Sequence, residues 1–471
     1  MNMNLYGHDG QWLMVDCGIG FARDSGDTRI IAANPEFIST RRESLQGLLV
    51  THAHEDHVGA VAHHWPLLRC PVYCTRFTAE ILQRKLAEAG LAGRVPVHVM
   101  ESGDRHTVGV FDIEWVDITH STPESQALML RTAVGNVFHT GDWKLDPAPV
   151  VGADYDAKRF QAFGDEGVLA MVCDSTNATV AGRSPSEGAL YAGLLQAVLQ
   201  APKRVVVACF GSNVARLVTL VQTALEAGRY PGLLGRSLEN YYRAARVAGL
   251  WPLEAELIQS SHLGYLPPEE VFAVATGSQG EAGAALSRLA AGSHPALELE
   301  PDDTVIFSSR VIPGNEKELE RLYAKLRSQG VRIVVESRKT DGTEAEKRRV
   351  VNGGEEGGVE EGVVEETGIE ESGAEERGTA PSAIDATEAA HIHASGHPAQ
   401  DELVDMYQWV RPRIAVPVHG ESRHLDAHAA LAKSLGVPMQ LNGRNGDLFM
   451  LAPQPGLKRR AVDTGRLEIQ R

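Results

Sequence analysis

Along residues 1–180, apolar residues arrive in short runs that stop at polar, glycine-rich turns. "WLMVDCG", "LQGLLVTHAHEDH", "CPVYCT", "FDIEWVDIT", "GNVFHTGD" and "VLAMVCDSTNA" each predict a strand meeting a polar loop. Two stretches carry a helical period instead: roughly Gly59 to His64, and Thr75 to Gly90, where Gly90 suits the position just past a helix end. Strands with polar residues at their ends and helices interspersed predict a layered α/β domain.

The rhythm changes near Ser186. "SEGALYAGLLQAVLQA" predicts a helix, "RVVVACF" a buried strand and "NVARLVTLVQTALEAG" another helix ending at Gly228. "SLENYYRAARVAGL", "EEVFAVATGSQGEAGAALSRLAAG", "DTVIFSS", "NEKELERLYAKLRSQG" and "VRIVVES" continue the alternation, as in an open, largely parallel sheet. Residues 341–390 follow no such pattern: Glu and Gly dominate and no apolar period is sustained. A segment of that kind cannot bury enough surface to offset its ordering entropy, so a disordered acidic insertion is expected. After it, "AHIHASGH", "RIAVPVHGE" and the helical "HLDAHAALAKSLG" return to the style of the opening.

A chain of 471 residues is long for one core and fits two or three domains. With 43% hydrophobic and 23% charged residues it has a globular composition. The start lacks a basic stretch followed by an apolar one, so no secretory signal is expected. No apolar run of about 18 residues suggests a membrane span. Cys17, Cys70, Cys74, Cys173 and Cys209 are odd in number and form no CxxC pair, which predicts reduced thiols and a cytoplasmic protein.

The net charge of −17 argues at first against an anionic partner. Fifteen acidic and four basic residues between Thr340 and Ala390 carry −11 of it, leaving only −6 for the rest. Net charge does not describe the local field in a groove, so the partner stays open on this ground.

The chemistry concentrates in "LLVTHAHEDHVGA", residues 48–60, where a buried strand runs into an H-x-H-x-D-H turn. On such a turn His52 and His54 can converge on one ion while Asp56 and His57 face a neighbour. Zinc favours imidazole nitrogen and carboxylate oxygen, and a catalytic site keeps a position for water. One loop cannot fill two shells, so further ligands must come from other strand ends: His120, Asp142, His397 and His419 are the candidates, with Asp142 able to bridge. Each alone reads equally well as a polar loop residue; the set argues for a site.

"THAHEDHVGA", together with Asp16 in "MVDCG", His120 and Asp142, resembles the metallo-β-lactamase superfamily. "HTGDWKLDP", "CDSTNA", "TGSQGE", "IPGNE", "ASGH" and "PVHGE" narrow the resemblance to the β-CASP branch, and most closely to the ribonuclease J family. It covers nearly the whole chain apart from the acidic insertion. The resemblance implies an α/β protein: an αββα metallo-β-lactamase fold with an inserted β-CASP α/β domain. The first domain would occupy residues 1–185 and, on its return, 391–455, with β-CASP at 186–340 and a short tail at 456–471.

The resemblance also implies two divalent metal ions. His52, His54, His120 and Asp142 would hold one, and Asp56, His57, Asp142 and His419 the other, with Asp16 behind them orienting a ligand. Zinc suits these ligands, and manganese is compatible with a two-metal site containing carboxylates. The implied activity is hydrolysis of single-stranded RNA in RNA processing and decay, internally and from a 5′ end, favouring a 5′-monophosphate. Asp56 would accept a proton, and His397 would bind phosphate or protonate the departing 3′-oxygen. The loop His393, Ala394, Ser395, Gly396 and His397 resembles the family's phosphate-gripping segment, where glycine lets backbone N–H groups approach an anion. Ser212 and Asn213 in "FGSN", with Arg236, would contact phosphates, although turn chemistry explains them equally well. With 6% aromatic residues, sugar and phosphate contacts are expected to outweigh stacking.

Three departures qualify the resemblance. The chain opens at "MNMNLY", inside a strand that the family precedes with a glycine-rich stretch, so an unpaired sheet edge or a misassigned start is expected. It ends soon after "LNGRNGDLFML", without the family's C-terminal domain, which would weaken a homo-oligomer. The acidic insertion falls where the chain passes back to the metal domain. Two other readings compete with a nuclease: an RNA-binding or regulatory protein whose catalysis is lost or weak, and a small-ester hydrolase such as a lactonase. The full ligand set speaks against the first and the size of the region 186–340 against the second.

Overall fold

The computed structural model describes residues 1–24, 27–312, 314–336, 349–351 and 391–469. Apart from the short strand Arg349–Val351, the expected acidic insertion at 341–390 lies outside the described residues. Among the described residues no helix is long and apolar enough to cross a membrane.

Two sheets face each other in the first region. One runs in the order Asn4–His8, Gln11–Val15, Leu45–Val50, Val72–Cys74, Val97–Val99. The other runs Met439–Gln440, Ile414–Val418, Ala170–Asp174, Gly135–His139, Gln126–Thr132, Phe111–Asp117, Arg105–Val108. Their central strands are continuously apolar because both faces are covered. Side chains alternate between faces, so neighbours in sequence serve different cores. Leu13, Val15 and Leu49 meet Trp115, Leu128, Val172 and Val416 between the sheets. Met14, Leu48 and Val50 point outward onto Phe77 and Leu82 of the helix Arg76–Glu88. On the far side, Met129, Phe138, Met171 and Ala415 pack on Phe160, Phe163 and Met406 of the helices Ala157–Glu166 and Gln400–Val410. The result is helix, sheet, sheet, helix: the αββα layering that the resemblance implied.

The inserted region holds one six-stranded sheet in the order Tyr230–Leu234, Val271–Ala275, Val205–Ala208, Thr304–Phe307, Arg332–Val335, Arg349–Val351. All pairs are parallel except the last. Helices Tyr191–Leu199 and Val214–Glu226 cover one face, and Ala285–Ala290 and Glu316–Ser328 the other.

The chain crosses between regions at two places that a single guanidinium joins. Arg216 donates to both carboxylate oxygens of Glu187, at 3.0 and 2.9 Å, on the outgoing crossover. It also donates to Ser308 O at 2.8 Å, and the Ser308 hydroxyl donates to Ile392 O at 2.6 Å on the return. Arg216, Glu187 and Ser308 are all buried. Glu402 adds a second fastening, accepting backbone N–H groups from Leu145, Ser184 and Ala399.

Some elements escape the hydrophobic pattern. Asn4–His8 pairs antiparallel with Gln11–Val15 and forms the edge of its sheet. In the tail expected at 456–471, Arg466–Glu468 folds back antiparallel onto Asp27–Ala33, whose other side pairs with Ile19–Asp24. The helix expected from about Gly59 spans Val61–Leu68, after a separate turn of helix at Glu55–Val58.

Candidate metal centre

Five strand ends and one short helix bring the polar residues together, with His120 following Phe111–Asp117 and Asp142 following Gly135–His139. Gln11–Val15 ends at Asp16, which holds a left-handed backbone with φ 64°. Leu45–Val50 leads through a short loop to His54, whose backbone is extended just before the helix turn Glu55–Val58, so His52 and His54 precede the turn while Asp56 and His57 lie on it. Ile414–Val418 ends at His419, also left-handed with φ 54°. Such conformations cost energy in a non-glycine residue and persist where surrounding contacts fix them. Gly18 has a steric reason: a Cβ there would lie 1.7 Å from the Asp56 carbonyl oxygen.

Three groups of donors form around one shared carboxylate, Asp142: two hold the residues expected from the sequence, and the third joins Asp142 and His419 to Asp174 and His397. One ligand atom from each of His52, His54, His120 and Asp142 lies within 4.8 Å of the others, and the same holds for Asp56, His57, Asp142 and His419. In the first group His54 Nδ1 is 3.1 Å from both His52 Nε2 and His120 Nε2. In the second, Asp142 Oδ2 is 3.2 Å from His57 Nε2 and 3.6 Å from His419 Nε2, and His419 Nε2 is 3.1 Å from Asp56 Oδ2. Bonds of about 2.1 Å in a tetrahedral shell place ligand atoms about 3.4 Å apart. Spacing and donor chemistry therefore fit divalent cations of the zinc type.

Behind the donors stand two carboxylates with matching roles. Asp16 Oδ2 accepts from His57 Nδ1 at 2.8 Å, and the Thr51 hydroxyl relays Asp16 to His52 Nδ1 at 3.0 Å. Asp174 Oδ2 accepts from His397 Nδ1 at 2.7 Å, and the Thr176 hydroxyl relays Asp174 to His419 Nδ1 at 2.8 Å. His120 Nδ1 donates to Gly396 O at 2.5 Å. In each of His52, His57, His120 and His419 the outer nitrogen is engaged, which leaves the Nε2 lone pair for the centre. Sequence reasoning did not single out Asp174, Thr51 or Thr176. The signal was present: "VDCG" and "CDST" are both buried strands ending in Asp, and Asp174, like Asp16, is buried.

The electrostatics differ across the centre. Burial, then neighbouring imidazoles, pushes His52 and His120 well below the ordinary histidine range, and burial lowers His54 to about 4. These three imidazoles are held neutral. Burial also works against charge on His57, but Asp142, Asp56 and Asp16 raise it to about 10. His419 is raised in the same way, against burial, by Asp142 and Asp174. The carboxylates around His57 and His419 thus make a pocket in which a positive charge is favoured.

The second region touches the centre directly. Tyr241, buried on the helix Arg236–Val247, donates its hydroxyl to Ala53 O at 2.9 Å, between two of the imidazoles. Tyr241→Phe would leave that carbonyl without its partner, at about 1–3 kcal/mol. The expected result is a lower denaturation midpoint with weaker binding at the His52–His54 group, read by urea unfolding and metal titration.

The other predicted site residues are placed as follows. Ser395 Oγ accepts from Asn177 Nδ2 at 2.8 Å and from His397 N at 3.3 Å. Gly396 faces His120, where a Cβ would stand 2.8 Å from the ring, so its observed role is through its carbonyl. Ala394 packs into the core of the inserted region. His393 is pushed well below the ordinary range by burial and then by the charges of Arg216, Arg310 and Lys144. Asn213 caps the helix Val214–Glu226, accepting from Arg216 N at 2.8 Å and donating to Glu187 at 3.2 Å, so its amide is spent on the fold. Ser212 is half-buried in the preceding loop, and Arg236 is exposed at the start of its helix.

Three family descriptions match the chain: "Beta-lactamase superfamily domain" over residues 11–160, "Ribonuclease J, beta-CASP domain" over 202–326, and "Zn-dependent metallo-hydrolase RNA specificity domain" over 386–441. The chain is 38% identical to Ribonuclease J of Sinorhizobium meliloti (strain Sm2011 / Rm2011 / 2011) over 460 residues, covering 97% of this chain and 72% of that protein. It is 33% identical to Ribonuclease J of Mycolicibacterium smegmatis over 440 residues, covering 93% and 69%. Among solved structures, a protein of unknown function from Enterococcus faecalis V583 aligns over 99% of this chain and 96% of its own, with a TM-score of 0.55 at 13% identity; that likeness shows the fold alone.

Proposed function

The chain belongs to the ribonuclease J family and is a metal-dependent ribonuclease, and from that premise we propose that seven converging side chains would hold two divalent cations, with Asp142 available to both, for hydrolysis of single-stranded RNA. The observation that carries the proposal is the pair of four-donor groups sharing Asp142. Zinc suits the first group, with three imidazoles and one carboxylate; the second, richer in oxygen, also accepts manganese. The ions supply Lewis acidity, making water more acidic and stabilising charge on the phosphate.

The chain's own residues do the rest. Asp56 has the most exposed of the donor carboxylates, with 36% of its side chain accessible, and is placed to accept a proton from attacking water. His397 is raised above the ordinary histidine range, against burial, chiefly by Asp174. Asp174 engages its Nδ1, which leaves Nε2–H to protonate the departing 3′-oxygen. Arg310, which donates to Asn177 Oδ1 at 2.7 Å beside the Ser395 loop, supports a phosphate grip next to the reacting bond, as cleavage from a 5′-monophosphate end requires.

His397→Gln is expected to lower turnover about 10²–10⁴-fold, the range for one general acid, with metal content unchanged. His54→Ala is expected to lose hydrolysis together with the cation of the first group, keeping the other. Digesting RNA labelled at its 5′ end, alongside metal analysis, tests both variants. Released mononucleotide reports attack from the 5′ end, and internal fragments report endonuclease action. Unchanged turnover in His54→Ala would refute the ligand assignment.

A further inference from the structure

Asn2 reaches the second donor group from outside the histidine-rich turn. Its backbone N–H donates to Asp56 O at 2.8 Å, and its carbonyl accepts from Gly18 N at 3.0 Å, so the first residues lie against the turn. From there Asn2 Nδ2 stands 3.1 Å from Asp56 O, 3.1 Å from Asp56 Oδ2 and 2.9 Å from His57 Nε2. Two oxygen acceptors, both belonging to Asp56, face that nitrogen, and this fixes the amide orientation: reversed, Oδ1 would face a carbonyl and a carboxylate oxygen.

Asp56 needs such a partner. Its side chain is 36% exposed, against 4% for Asp142. Among the described residues, its Oδ2 is approached by His57 Nε2, His419 Nε2 and Asn2 Nδ2. The two imidazole nitrogens turn their lone pairs to the cation in the reading above, which leaves Asn2 as the N–H donor that holds the carboxylate. By joining the Asp56 carbonyl to its own carboxylate, Asn2 restrains the side chain in the rotamer that faces His419.

We propose that Asn2 is a positioning residue for Asp56, setting the affinity of the second cation site without touching the first. The inference rests on the two-cation reading of the centre. The test is titration of the metal-stripped full chain with Zn2+, comparing the unaltered protein with Asn2→Ala, Asp56→Ala and the double variant. The unaltered protein is expected to take up two equivalents. Asn2→Ala retains both backbone bonds and should bind the first Zn2+ normally and the second about 10–100-fold more weakly. The double variant should be no worse than Asp56→Ala, because Asn2 acts through that carboxylate. An unchanged second step in Asn2→Ala overturns the proposal, as does equal weakening of both steps, which would mean general disruption. Uptake of one equivalent by the unaltered protein would instead refute the two-cation reading, and this inference with it.

Discussion

Asp142→Ala is expected to release both cations and to lower RNA hydrolysis by about a thousand-fold or more, the equivalent of several kcal/mol of lost charge stabilisation. The expectation follows from position. Asp142 belongs to both donor groups, with Oδ2 3.2 Å from His57 Nε2 in one and 3.9 Å from His52 Nε2 in the other. Removing it also strips the centre of a buried negative charge that helps to raise His57 and His419. His54→Ala, which touches only the first group, should leave one cation bound. Metal analysis of the two purified variants therefore separates a shared ligand from a private one. Equal retained metal in both would show that Asp142 bridges nothing.

Arg216→Met is expected to destabilise the protein by about 3–5 kcal/mol, because it leaves Glu187 charged and buried without a counter-ion. The geometry makes the effect long-range: Arg216 ties the outgoing crossover at Glu187 to the return at Ile392 through Ser308. Adding Glu187→Leu should recover much of the loss, since replacing both members of a buried pair is often near neutral. Equilibrium urea unfolding of the single and double variants measures this. A loss below about 1 kcal/mol in the single variant would mean that the pair does not hold the crossovers.

The layered fold was legible because each central strand is a continuous apolar run that alternates between two cores, as Leu13, Met14 and Val15 do. The open sheet of the inserted region was equally plain in the alternation of helix and strand. The return of Arg466–Glu468 onto Asp27–Ala33 was not legible, because the strand is three residues long, exposed and without apolar alternation.

At the centre, the H-x-H-x-D-H spacing and the polar strand ends drew attention to the residues that the structure brings together. The supports did not show. Asp174, Thr176 and Asn2 act through single hydrogen bonds to residues far along the chain, and Tyr241 through one carbonyl. A lone polar residue at such a distance leaves no periodic trace. Asn213 shows the converse: it drew attention as a phosphate contact, yet its position before a helix makes capping its natural use.

The most direct test of the account is anomalous diffraction from crystals of the intact chain grown with zinc. Two peaks about 3.5–4 Å apart are expected, with the Asp142 carboxylate between them and the imidazoles of His52 and His419 on opposite sides. One peak, or two peaks that share no carboxylate, would contradict it.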